Sequence, residues 1–208
     1  TDTVNTAEDI SLELSESDTT ALLTTLPQRY RGTVMDGLLT ALALAVVLWR
    51  KGRGISEPTT LIRLEGHGRE QQVVPGADLS TTVGWFTSFF PIRVDLTGID
   101  AAAACTGGPD MVDAVKTVKE QLRAVPDAGI GYGMLRYLNE ETRVRLPTEV
   151  PGQIGLNYLG RALSFGETDE GSATPVRGWT PVDLLGDNRS DPDPDMPVIT
   201  TSESRGIS

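Results

Sequence analysis

Thr60-Leu61-Ile62-Arg63-Leu64-Glu65-Gly66-His67-Gly68-Arg69-Glu70 is the stretch on which the fold turns. In its first six residues Ile62 and Leu64 alternate with Leu61, Arg63 and Glu65. That period of two belongs to a strand with one buried face, and it turns Glu65 away from the core. Glu65 then closes the strand, and Gly66 and Gly68 flank His67 in a polar loop. Glycine lets such a loop turn sharply and lets a substrate approach the backbone. From these residues alone two readings stand side by side. One is a cleft rim that displays a carboxylate and an imidazole. The other is a polar loop in which Glu65 pairs with Arg63 or Arg69, and His67 is a surface histidine. Metal binding lacks partners, because the chain has one histidine and one cysteine.

Upstream, Ser15 or Ser17 caps a short helix carrying Ala21, Leu22, Leu23 and Leu26, which Pro27 stops. Thr33 caps a longer helix over 34–50 with Val34, Leu38, Leu42, Ala45 and Trp49 at spacings of three and four. Most of its other positions are apolar as well, so it belongs buried inside a larger body. Downstream, 83–96 reads as a second strand, broken or bent near Pro91. Its aromatic residues Trp85, Phe86, Phe89 and Phe90 read as core. Pro109 and Asp110 open a helix with Met111, Val115, Val118 and Leu122 on one stripe, ending before Pro126. Residues 127–133 form a glycine-rich turn, a helix from about Met134 to Asn139 or beyond follows, and 153–159 reads as a buried strand. Strands alternating with helices across 33–160 predict an α/β fold of layered sheet and helices.

Gly129-Ile-Gly-Tyr-Gly133 lacks the spacing of a phosphate-binding loop and the Lys-Ser/Thr that would follow it. A turn packed closely against a neighbouring strand explains it better.

The net charge of -11 is unevenly spread. Residues 1–20 carry six acids and no base, and 166–208 carry nine acids and three arginines, whereas 21–165 is almost neutral. The acidity therefore marks solvated end segments. With no basic stripe, nucleic acid is excluded as a partner. The longest apolar run, from Gly37 to Trp49, is too short to span a bilayer, so no membrane is expected and the expected location is cytoplasmic. Cys105 is the sole cysteine, which excludes an intramolecular disulfide and suits a reducing compartment. It lies far in sequence from the sole histidine and is a poor nucleophile candidate.

Five segments occur in one order. They are Met35-Asp-Gly-Leu-Leu-Thr-Ala-Leu, Glu65-Gly-His-Gly-Arg-Glu70, Thr82-Val-Gly-Trp-Phe-Thr87, Val125-Pro-Asp-Ala-Gly-Ile-Gly-Tyr-Gly133 and Asn157-Tyr-Leu-Gly160. Together, over roughly 15–165, they resemble successive motifs of the epimerization domains of nonribosomal peptide synthetases, C-terminal lobe. The EGHGRE form resembles epimerization rather than plain condensation.

The resemblance implies half of a two-lobed fold similar to chloramphenicol acetyltransferase, with the active site in a tunnel between lobes. It implies an aminoacyl or peptidyl thioester as substrate, carried on the phosphopantetheine of a peptidyl carrier protein, and inversion of its α-carbon from L to D. No cofactor is bound directly. By motif, Glu65 matches the family's acid/base glutamate and Arg69 the motif's arginine, expected to orient or neutralise Glu65. Asn157 and Tyr158 match tunnel-lining residues, and His67 joins them as a substrate-binding candidate. The family's HHxxxD motif belongs to the N-terminal lobe and has no match here, nor does the ending from Val198 resemble the family's continuation. The expectation is a chain truncated at both ends, inactive alone, whose partners are the carrier protein, the missing N-terminal lobe, or a second copy through self-association.

The expected organisation is an acidic segment at 1–14, the lobe at 15–165, and an acidic Pro/Gly-rich tail at 166–208. Two other functions compete: a non-catalytic lobe that only binds carrier protein, and a condensation or acyltransferase lobe of the same superfamily.

Overall fold

The computed structural model describes residue 8 and residues 10–160, so the 166–208 tail lies outside the described residues. Ile10, Leu12 and Leu14 precede the first helix and are all exposed. The unit that runs to Tyr158 is compact; Leu159 and Gly160 belong to a second unit and are its only described members.

Strand β1 (Thr59–His67) is the middle of a three-stranded sheet among the described residues. β2 (Thr87–Asp95) pairs with it antiparallel and β3 (Ile154–Asn157) pairs with it parallel. The alternation read from 60–65 holds. Ile62 and Leu64 are 0% and 2% exposed, while Leu61 on the opposite face is 38% exposed. Burying each such aliphatic side chain contributes about 1.5–3 kcal/mol, which fixes the register against a one-residue slip. The strand runs two residues beyond Glu65, however, so Gly66 and His67 belong to it rather than to a loop.

Three other expectations about the sheet are corrected. β2 passes through Pro91 without a break, because it is an edge strand and a missing N–H there costs no central ladder bond. β2 begins only at Thr87, so Trp85 precedes it and is 89% exposed; of the four aromatics only Phe90 is in the core. β3 is four residues long, on the other edge, and only half-buried.

One sheet face is covered by α3 (Val34–Lys51), α4 (Ala101–Cys105) and α5 (Pro109–Arg123). Leu39, Ala43 and Leu44 of α3 meet Ile62, Leu64, Ile92 and Val94 of the sheet and Ala114 and Val118 of α5 in one core. α3 starts with a capping box. Thr33 Oγ1 accepts from Asp36 N at 3.3 Å, and Asp36 Oδ2 accepts from Thr33 N at 2.6 Å. Its buried face is Asp36, Gly37, Leu39, Thr40, Ala43, Leu44 and Val46, not the expected stripe, of which Ala45 and Trp49 are exposed. An almost wholly apolar helix offers two faces of similar hydropathy, and packing chooses between them. At Gly37 the preceding helix packs close, so that a side chain there would press on Leu26.

That preceding helix also departs from expectation. Ser15 is its N-cap, but Pro27 does not stop it: α1 (Glu16–Thr20) passes through a π turn (Ala21–Thr25) into α2 (Leu26–Tyr30). The widened turn sits where the proline ring and its missing N–H would otherwise conflict with the helix, and Pro27 enters in the first turn of α2. The helix ends at Arg31 in the left-handed region.

α5 carries the expected stripe, with Val115 and Val118 buried and Met111 and Leu122 packed against the core. Gln121 adds a link that composition does not reveal. Its side-chain amide exchanges two hydrogen bonds with the backbone of Asp95, at 2.7 and 2.8 Å, locking α5 onto the end of β2. After α5, Asp127, Ala128 and Gly129 take positive φ, and α6 (Ile130–Gly133) continues into a π turn (Met134–Leu138). Helical structure thus starts four residues earlier than expected. Asn139 leaves it and caps α7 (Glu140–Arg143). Buried Arg136 donates to the carbonyls of Pro147 and Thr148, which anchors the approach to β3.

Candidate functional site

The face of the sheet opposite the core carries the candidate residues. Alternation along β1 sends Arg63, Glu65 and His67 to that side. Register then supplies neighbours: Glu65 lies between Phe89 of β2 and Asn157 of β3, and His67 lies opposite Thr87. Gly66 faces Ser88, and a side chain on Gly66 would come within 3.0 Å of Ser88 Oγ, so glycine allows the strands their approach between Glu65 and His67.

The polar contacts centre on the imidazole. His67 Nε2 is 2.8 Å from Asn157 Oδ1 and 3.8 Å from Glu65 Oε1, while His67 Nδ1 is 3.3 Å from Thr87 Oγ1. The Glu65 side chain is 16% exposed and that of His67 34%. A pair at that distance and exposure contributes little to stability, so its interest lies in placement. Four side chains that can accept or donate hydrogen bonds, Glu65, His67, Thr87 and Asn157, share one patch on three adjacent strands.

Of the candidate residues, the structure brings Glu65, His67 and Asn157 together. Arg69 is directed elsewhere: its guanidinium donates to the carbonyl of Thr82 at 3.1 Å and lies 4.9 Å from the centre of the Phe86 ring. It braces the connection between β1 and β2. Tyr158 follows Asn157 just past the end of β3 and is half-buried. Thr87 carries no signal of its own in the sequence, although it ends the Thr82–Thr87 motif. Only the pairing of β1 with β2 puts its hydroxyl beside the imidazole.

Glu65 and His67 project from one face of one strand, so both meet a substrate from the same side. A carboxylate there can take a proton, and the imidazole and amide can orient it. Among the described residues no group of His, Cys, Asp and Glu side chains is arranged to hold a metal ion. Among them, too, no single helix is long and apolar enough to cross a membrane.

Comparison with known proteins follows the same lines. The family profile described as Condensation domain matches residues 2–174. A linear gramicidin synthase subunit from Brevibacillus parabrevis is 42% identical over 83% of this chain, and Surfactin synthase subunit 2 of Bacillus subtilis (strain 168) is 40% identical over 80%. The chain spans only 2% and 4% of those two proteins. Among solved structures, the epimerization domain from the third module of tyrocidine synthetase B superposes with a TM-score of 0.55 at 34% identity. The match covers 70% of this chain and 30% of that one.

Proposed function

Because this chain belongs to the condensation-domain family of nonribosomal peptide synthetases, we propose that its outer sheet face works in an epimerization domain. The substrate is an aminoacyl or peptidyl thioester on the phosphopantetheine arm of a peptidyl carrier protein, and its α-carbon is inverted from L toward D. The observation that carries this reading is the position of Glu65. It stands mid-sheet on the face away from the core, shielded to 16% exposure, with the chain's sole imidazole 3.8 Å away.

In this reading Glu65 takes the α-proton. The electrons of the broken C–H bond pass into the thioester carbonyl and form an enolate, which collapses when a proton is returned on the opposite face. Because His67 and Glu65 share one side, the opposite-face proton comes from a group other than these two. The carrier arm supplies the substrate, and the reaction uses no further cofactor. A condensation reading is favoured by the family profile's own description; in it the same face would join two substrates instead of inverting one. The form of the EGHGRE segment and the resemblance to the tyrocidine epimerization domain favour inversion.

The test is Glu65→Gln in the complete enzyme. The amide keeps the shape but cannot hold the proton, so exchange of the substrate α-proton with solvent is lost while carrier-protein binding is retained. Wild-type exchange in that variant removes Glu65 from the chemistry.

A further inference from the structure

Arg63 stands on β1 two residues before Glu65, on the same face of the sheet and roughly 6–7 Å away along the strand. It does not pair with Glu65, whose ion-pair neighbour among the described residues is His67. Its neighbours in register are Pro91 and Gly155, neither of which has a hydrogen-bonding side chain. At Gly155 the face is open, with no atom within 4 Å of where a side chain would begin, which leaves room for a ligand beside Arg63. Among the described residues, the arginine and lysine side chains that are buried or half-buried are Arg50, Arg63, Lys119 and Arg136. Arg50, Lys119 and Arg136 each donate to a backbone carbonyl, whereas Arg63 has neither a hydrogen bond nor an ion pair among those residues. A guanidinium drawn partly out of water without an acceptor keeps its donors free for an anion that arrives with the ligand.

We infer that Arg63 is a further catalytic residue: its guanidinium donates to the thioester carbonyl oxygen as that oxygen becomes an enolate. The inference rests on the reading of Glu65 as the base. When the α-C–H bond breaks, the proton goes to Glu65 and the electron pair moves onto the carbonyl oxygen. Negative charge thus leaves the carboxylate and appears on the oxygen. A cation paired with Glu65 would stabilise the carboxylate and oppose that transfer. Arg63 is unpaired and displaced along the strand, so it favours the charge where it arrives, and such differential stabilisation is what lowers a barrier. Return of a proton to the α-carbon reverses the flow and frees the guanidinium.

The experiment follows α-proton exchange in the complete enzyme, with saturating carrier protein loaded with an α-deuterated L-alanyl, L-leucyl or L-aspartyl thioester. Arg63→Met keeps an unbranched stem and removes the charge. It is expected to slow exchange about a hundredfold on every one of these substrates, the scale of losing one oxyanion donor, with carrier affinity unchanged. Arg63→Lys keeps the charge and recovers part of the rate. A loss confined to the aspartyl thioester would overturn the inference, since Arg63 would then read the substrate's side chain. Weaker carrier binding with an unchanged rate at saturation would also overturn it, as would Arg63→Lys as slow as Arg63→Met. Wild-type exchange in Arg63→Met, with Glu65→Gln inactive, removes Arg63 alone from the chemistry. Wild-type exchange in Glu65→Gln removes the reading of Glu65 and this inference with it.

Discussion

His67 Nε2 lies 2.8 Å from Asn157 Oδ1, joining the central strand to a side chain ninety residues further along the sequence, at the end of the parallel edge strand. The link spans the width between two strands that share only four paired positions. It gives Asn157 a task separate from direct contact with substrate: it holds the imidazole beside Glu65. In the complete enzyme Asn157→Ala is expected to slow α-proton exchange by roughly five- to tenfold, the scale of one hydrogen bond. Glu65→Gln removes the proton acceptor and costs about a hundredfold or more. Single-turnover exchange measured on both variants checks the ranking, and equal losses would count against it.

Arg69 should act through the loop it braces. Arg69→Ala frees the Thr82 carbonyl and uncovers Phe86. The expected outcome is faster hydrogen exchange of the backbone amides at 80–86, with α-proton exchange reduced less than by Glu65→Gln. If Arg69→Ala matched Glu65→Gln in exchange and left those amides protected, the arginine would instead act at the reacting carbon.

Two glycines of one segment should behave oppositely. Gly129 has φ near +85°, and any side chain there collides with the Phe90 ring, so Gly129→Ala combines backbone strain with overpacking. A loss of about 2–3 kcal/mol is expected from denaturant unfolding. Gly131 lies in α6 with no atom close to a would-be side chain. There Gly→Ala should be neutral or stabilise by up to about 1 kcal/mol.

At the entry to β1, the Glu57 carboxylate accepts from Thr59 Oγ1 at 2.5 Å and from Thr59 N at 3.1 Å. The hydroxyl bond chiefly, and the backbone bond after it, hold its pKa below the ordinary value of 4.5. A carboxyl group depressed in the folded state stabilises at pH above its unfolded value, and that contribution is lost as pH falls through the folded value. Thr59→Val should therefore raise the Glu57 pKa toward its ordinary value and reduce its part of the acid sensitivity, since the backbone bond remains. Side-chain carboxyl shifts followed by NMR would show it; an unmoved titration would place the cause elsewhere.

Much of this fold was legible where one local signal met one packing surface. The alternation of Ile62 and Leu64, the Thr33 cap and the stripe of the Pro109–Arg123 helix all appear as read, because each depends on residues within a few positions. The errors share another cause. Gly66 and Gly68 suggested a loop at His67, yet the strand continues because Ser88 and Thr87 arrive to pair with it from twenty residues away. The Val34–Lys51 helix shows too little contrast around its circumference for sequence to say which side is buried; packing against the sheet and its neighbouring helices decides that. A proline inside a helical pattern usually ends the helix, but a π turn lets this one continue past Pro27. At the site, the resemblance to epimerization domains named Glu65, His67, Arg69, Asn157 and Tyr158. It could not reveal that Arg69 leaves for Thr82 and Phe86, or that Thr87 enters, since those contacts arise from strand register.

Inversion is the central claim, and α-deuterium reports it directly. The complete enzyme is given a carrier protein loaded with an α-deuterated L-aminoacyl thioester, with and without a second carrier bearing an acceptor amine, and the released acyl group is read for mass and configuration. The account predicts loss of deuterium and appearance of the D-isomer without any acceptor, both absent in Glu65→Gln and absent when the 208-residue chain is used alone. Retained deuterium and L-configuration, with a new amide bond formed only when the acceptor carrier is present, would contradict it and make this a condensation domain in activity.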